Sequence, residues 1–94
     1  MIDTSKIKWD LSDAEKAVFS WLNEKGFTGE VKRQYQTKIK VIIEKQGVSM
    51  EIDIPSSLAM DTVESYLIRL ERDFSMTCEL YALRERVKNK NSGN

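Results

Sequence analysis

The sequence predicts one small α+β domain, in which an N-terminal helix and a long C-terminal helix pack on a two- or three-stranded antiparallel sheet. Three observations predict this fold class. Apolar and polar residues alternate on both sides of Gln46-Gly47, apolar residues recur at helical spacing after Ser12, and no Gly or Pro interrupts residues 56–88.

Composition and charge exclude several classes of function. Fifteen basic and fifteen acidic residues give a formal net charge of zero, so the chain as a whole does not attract nucleic acids or anionic membranes. The chain has no histidine, the commonest general base and metal ligand, and we therefore predict no catalytic residues, no metal site, no cofactor and no enzymatic activity. The single cysteine, Cys78, forms no internal disulfide, which favours the cytoplasm, and no apolar run reaches the length of about 18 residues that a membrane span needs.

Residues 1–11 are predicted to be an irregular lead-in arm of a single domain that spans residues 1–94. Ile7, Trp9 and Leu11 alternate with polar residues. Two interpretations are open: the arm lies against the core or adds a short edge strand, or it is a loosely packed tail.

The first helix is predicted to begin at Ser12. Ser12 and Glu15 have the spacing of a capping box, in which each side chain accepts a hydrogen bond from the other residue's main-chain N–H. A core-facing stripe at helical spacing follows, formed by Ala14, Ala17, Val18, Trp21 and Leu22. Gly26 stands where a left-handed C-terminal cap belongs.

The alternating pattern extends over residues 30–45 before the hairpin. Val31, Tyr35, Ile39 and Val41 all occupy odd positions. Apolar residues at odd positions throughout fit one long bent strand, or two strands joined by a three-residue loop at 36–38. A loop of that kind favours a glycine that the sequence lacks there, so a bulge or bend is a serious alternative.

The hairpin closed by Gln46-Gly47 is the most strongly specified element. A two-residue loop pairs Ile43 with Met50, and further along it pairs Val41 with Ile52 and Ile39 with Ile54, all on one face. On the other face Lys40 lies across from Asp53. Pro55 ends the second arm because it has no N–H to donate.

The C-terminal helix is predicted to start at Ser56-Ser57 or within 61–64, and to end near Lys88, before a polar, frayed tail at 89–94. Its inner face carries Val63, Tyr66, Leu67, Leu70 and Phe74 and continues to Tyr81. A second apolar set, rotated by roughly 130° at about 100° per residue, then takes over: Met76, Leu80, Leu83 and Val87.

A straight helix of that length overruns the sheet, because a helix from Ser57 to Lys88 is roughly 48 Å long whereas an eight-residue strand spans about 27 Å. Two outcomes are open. The helix is kinked or broken near 73–77, so that its second half folds back, or the second apolar set packs against another copy or another protein.

These patterns give two functional hypotheses. The first is a non-enzymatic protein-interaction or self-associating module that uses the second apolar set. The alternative is a weak nucleic-acid-binding accessory domain with a cationic set formed by Lys32, Lys38, Lys40, Arg84, Arg86 and Lys88. Lysines on a strand also discourage edge-to-edge pairing, and cations also stabilise a helix C-terminus.

Overall fold

A computed structural model describes the backbone of residues 1–92 and the side chains of residues 1–87, and it confirms the α+β class and the long C-terminal helix. The elements follow in this order: β1 (Ile2–Asp3), α1 (Asp13–Glu24), β2 (Thr28–Gln34), β3 (Lys38–Lys45), β4 (Val48–Pro55), a 3-10 turn (Met60–Thr62) and α2 (Val63–Ser92). Both helices cover the apolar face of the sheet, where the core lies.

The sheet is mixed and has four strands in the order β1-β2-β3-β4. Strands β2, β3 and β4 are antiparallel, which agrees with the predicted three strands, but the predicted number does not include the fourth, parallel strand. The additional strand comes from the lead-in arm, which pairs in parallel with β2 through Ile2 and Gly29. Of the two open interpretations of this arm, the structure confirms the short edge strand and not the loosely packed tail. The side chain of Ile2 is buried, and its main-chain N–H donates to Asn23 Oδ1 (2.9 Å). Burial of one apolar side chain and a bond to α1 thus fix the arm at the sheet edge.

The predicted hairpin register is confirmed for all three apolar pairs. Gln46 and Gly47 both have positive φ, at 54° and 80°, which is the backbone of a type I′ turn. That turn has the same twist as the strands it joins, so the two arms stay paired from Lys45–Val48 to Lys38–Pro55.

Residues 28–45 form two strands. A bulge explains why the apolar residues occupy odd positions in both of them. At the tip, Gln34 pairs with Ile39, and the N–H of Tyr35 donates to the carbonyl of Lys38 (2.8 Å). Continued without interruption, this register would put Val31 opposite Ile42. The bulge at Lys32 shifts it by one residue, so that Val31 lies opposite Val41 and both valines are buried.

Helix α1 has both ends that its sequence predicts. Ser12 Oγ accepts from the N–H of Glu15 (3.2 Å), and Glu15 Oε1 accepts from the N–H of Ser12 (2.8 Å), so the capping box is confirmed. At the other end the N–H of Phe27 donates to the carbonyl of Leu22 (3.0 Å) around Gly26 in a Schellman motif.

Helix α2 is uninterrupted from Val63 to Ser92, so the break considered near 73–77 does not occur. It begins in the second of the two predicted start regions and continues beyond Lys88 into the segment assigned to the tail. Residues 93–94 of that tail lie outside the described residues. Thr77 sits in the suspected break, and its Oγ1 donates to the carbonyl of Asp73 one turn earlier (2.9 Å), an arrangement compatible with a continuous helix.

Tyr66 ties the first turns of α2 to β4. Its hydroxyl donates to the main-chain carbonyl of Asp53 (2.7 Å). Burial of the phenol, followed by the negative charge of Asp53, raises the pKa of Tyr66 to about 12, compared with an ordinary value of 10.0.

This pKa predicts a loss of stability in alkali. Between pH 10 and about 12 the unfolded chain releases the Tyr66 proton while the folded chain keeps it, so the free energy of unfolding falls as the pH rises. Below pH 10 the contribution is fully present. Urea denaturation across this window should show a steeper fall for the wild type than for Tyr66→Phe, because the two proteins differ only in the Tyr66 hydroxyl. Equal slopes would contradict the prediction.

Candidate protein-interaction surface

Among the described side chains of α2, the last one hydrogen-bonded to the sheet is Tyr81. Phe74 packs edge-to-face on Phe27 with 4.8 Å between ring centroids, and one turn later Thr77 Oγ1 lies 3.3 Å from Met50 Sδ. The Tyr81 hydroxyl donates to the main-chain carbonyl of Ser49 (3.4 Å). All side chains of 82–87 are exposed.

The overall dimensions agree with this description. The molecule measures 54 × 26 × 23 Å, and its radius of gyration is 15.4 Å, whereas a compact domain of this length has a radius of about 12 Å. Since α2 alone is roughly 45 Å long, the long dimension is that of the helix. Residues 82–92, hereafter the helix extension, carry about 16 Å of helix beyond Tyr81.

The four predicted interaction residues lie on one outer face of α2, which begins beside the sheet contact and continues along the helix extension. Their exposed fractions lie between 51% and 56%, and we call them the outer stripe: Met76, Leu80, Leu83 and Val87. Isolated exposed apolar side chains are ordinary on a protein surface, but a row of large ones on one helix face is typical of a surface that meets a partner.

The spacing within the outer stripe is a signal that the sequence analysis missed. Successive members of the stripe are four, three and four residues apart, in the order Met76, Leu80, Leu83 and Val87. This is the a/d pattern of a coiled-coil seam. Exposed charged residues flank this seam: Glu79, Arg84 and Arg86. The sequence analysis assigned the two arginines to the cationic set and did not consider their place beside the seam.

The three lysines of the cationic set that lie on the sheet are paired with acids of β4. Lys32 Nζ and Lys40 Nζ lie 3.2 Å and 3.1 Å from the carboxylate of Glu51, while Lys38 Nζ lies 3.5 Å from Asp53 Oδ2. Hydrogen bonds from Lys40 and then Lys32 lower the pKa of Glu51, and Glu51 in turn raises the pKa of Lys40. Lys40 is opposite Asp53 in register, as predicted, but its ion pair is diagonal, to Glu51.

The helical members of the cationic set are on a different element. Arg84 and Arg86 are exposed on the helix extension, and the side chain of Lys88 lies outside the described residues. A nucleic acid on the sheet lysines would compete with Glu51 and Asp53, which weighs against that alternative. It stays a prediction.

A second apolar feature lies between α1 and α2, and the sequence analysis also missed it. Trp21, Val63 and Leu67 line a shallow groove whose edge is formed by Met60 and Ile68, which are 58% and 56% exposed. Ile68 is a large apolar residue of α2 that does not share the helical spacing of the inner face. An apolar residue at such a position is the sequence feature that indicates an exposed apolar side chain there.

Neither a metal site nor a membrane-spanning helix is found in the described part of the chain. Among these residues no three His, Cys, Asp or Glu side chains come together in a group suited to a metal ion. Within the same residues no helix has the length and hydrophobicity needed to cross a membrane.

No protein-family model, curated protein or solved structure matches this chain.

Proposed function

We propose that this chain is a non-enzymatic protein-interaction module that associates with a second copy of itself through the outer stripe. One observation carries the proposal: α2 continues without a break past its contact with the sheet at Tyr81, and it presents Met76, Leu80, Leu83 and Val87 half-exposed along one face. A helix that folded back on its own domain would have buried them.

The helix extension supplies a second physical reason. Isolated helices shorter than about 12 residues are marginal in water, because most helical stability in proteins comes from packing of an apolar face. The extension has eleven residues and no described buried side chain. Packing of the outer stripe on a partner supplies the contacts that the domain itself does not.

The second copy is favoured as the partner because the seam is self-complementary. Each copy offers the same a/d spacing, and each offers an acidic residue, Glu79, together with two basic residues, Arg84 and Arg86, beside that spacing. Near-zero net charge adds no long-range repulsion between copies. A seam of four side chains per copy is short, so we expect the dimer to dissociate on dilution.

The proposal is tested by the molar mass from light scattering after size exclusion, over concentrations up to about 1 mM, where even a weak dimer forms. We expect the mass to rise from 10.9 kDa towards twice that value. Leu80→Glu combined with Leu83→Glu should stay at 10.9 kDa at every concentration and keep the circular dichroism of a folded monomer. The physical reason is that charge cannot be buried in an apolar seam.

The matched control is Met60→Glu combined with Ile68→Glu. It introduces the same charge at two residues of similar exposure outside the outer stripe, and we expect it to dimerise like the wild type. A wild type that remains monomeric throughout would contradict the proposal. So would loss of the dimer in the control alone, because the groove beside Trp21 would then be the interface.

A further inference from the structure

The orientation of the two helices in such a dimer follows from the charges beside the outer stripe. In the heptad pattern Leu80 and Val87 are a positions, and Met76 and Leu83 are d positions. Glu79 and Arg86 then occupy g positions and Arg84 an e position, and all three side chains are exposed.

Local charge pairs are attractive in both orientations. In a parallel pair of helices, a g residue meets the e residue five positions further along the second copy, so Glu79 faces Arg84. In an antiparallel pair, g residues meet g residues, so Glu79 faces Arg86 of the second copy. Neither arrangement brings like charges together at these positions, and the choice therefore depends on the longer charge distribution along α2.

That distribution is polarised. Residues 71–81 contain three acidic residues and one basic residue, whereas the helix extension contains four basic residues and one acidic residue. A parallel pair puts the basic extensions side by side and aligns the two helix dipoles. An antiparallel pair puts each basic extension beside the acidic stretch 71–81 of the second copy, and the helix dipoles oppose each other.

The antiparallel arrangement also supports the helix extension better. With the two-fold axis between Leu80 and Leu83, each extension lies along residues 71–81 of the second copy's α2. That part of α2 is held in place by the sheet of the second copy, through contacts such as those of Phe74 and Tyr81. In a parallel dimer each extension would have only the other extension beside it.

We infer that the outer stripe binds a second copy in antiparallel orientation, with Leu80 facing Leu83, Met76 facing Val87 and Glu79 facing Arg86 across the two-fold axis. This inference rests on the proposed self-association and specifies its geometry. The seam is then a closed, isologous interface, with the two sheets at opposite ends of the paired helices.

Charge reversal separates the two orientations. Glu79→Arg should raise the dissociation constant by about tenfold, because it replaces two attractive pairs with two repulsive ones. Adding Arg86→Glu should restore the affinity of the wild type, whereas adding Arg84→Glu should not. Added salt should weaken the wild-type dimer, since the charges that it screens attract each other. Sedimentation equilibrium measures each constant.

Disulfide trapping provides an independent readout. In a Cys78→Ser background, Met76→Cys and Val87→Cys are prepared as separate proteins and mixed under mild oxidation. The antiparallel seam places position 76 opposite position 87, so the mixture should give the mixed disulfide in excess over either homodimeric one. Neither substitution places a charge in the seam.

Rescue by Arg84→Glu instead of Arg86→Glu, or homodimeric disulfides in excess, would overturn the antiparallel inference and leave self-association standing. Charge reversals that do not change the dissociation constant would also overturn the inference, because the flanking residues would not face each other. A wild type that is monomeric at every concentration would overturn the proposed function as well. The light-scattering result therefore distinguishes the two failures.

Discussion

Gly29→Ala is expected to lower the free energy of unfolding by about 3 kcal/mol or more, a large part of the roughly 5–15 kcal/mol typical of a small domain. Gly29 lies inside β2 and pairs with Ile2 on one side and Ile43 on the other. Its φ of +145° is rarely adopted by residues with a side chain, and an added Cβ would overlap the main-chain carbonyl oxygen of Ile42. Because that oxygen belongs to the backbone of β3, the strand pairing itself must shift.

Urea denaturation measures this effect, and Gly47→Ala is the matched control. Gly47 also has a positive φ, of +80°, but an added Cβ would have no atom within 4 Å. The control should therefore cost only the left-handed conformation, about 1 kcal/mol. Similar losses of stability in the two variants would mean that β3 can move away from the added Cβ without lowering the free energy of unfolding. That result would contradict the close approach of the two strands at Gly29.

The elements that the sequence predicted correctly are those whose information is local. The hairpin depends on a two-residue turn at Gln46-Gly47 and on alternation immediately beside it. The capping box of α1 depends on two residues three positions apart, Ser12 and Glu15. In each case neighbours in the sequence are also the physical partners.

The elements that it did not predict depend on distant partners. A short edge strand in the lead-in arm was one open interpretation, but its position was not predicted. Strand β1 is only two residues long, too short to show alternation, and its partner Gly29 lies far along the chain. The role of Gly29 is equally hard to read from the sequence, because a glycine that permits a close approach of two strands has the same local signal as one in a turn. The bulge at Lys32 also leaves no signal in the sequence. It shifts the register by one residue and offsets the shift introduced by the loop between β2 and β3, so the apolar residues stay at odd positions in both strands.

The candidate surface was predicted in its residues but not in its context. The outer stripe followed from the helical period alone. Whether the helix breaks near Thr77 depends on contacts such as that between Tyr81 and Ser49, which the sequence does not specify. The pairing of Lys32 and Lys40 with Glu51 requires the register of three strands at once, including the bulge, and sequence spacing could not provide it.

The second large effect is expected at Leu22, where Leu22→Ala should lower the free energy of unfolding by about 3 kcal/mol. Leu22 is fully buried between α1 and the sheet, and truncation of a buried leucine costs about 2–5 kcal/mol through lost transfer energy and the cavity left behind. Leu80→Ala makes the same chemical change in a helix at a side chain that is 54% exposed. Measured on the dilute monomer, it should cost no more than about 0.5 kcal/mol.

The dependence of stability on protein concentration distinguishes the two variants. If the outer stripe is the seam of a dimer, the urea midpoint of the wild type rises with protein concentration, because association stabilises only the folded chain. Leu80→Ala should weaken that dependence, whereas Leu22→Ala should lower the midpoint at every concentration and keep the dependence. Should Leu80→Ala instead cost as much as Leu22→Ala in the dilute monomer, the helix would fold back on its own sheet, and the outer stripe would belong to the core of one chain and not to an interface between two.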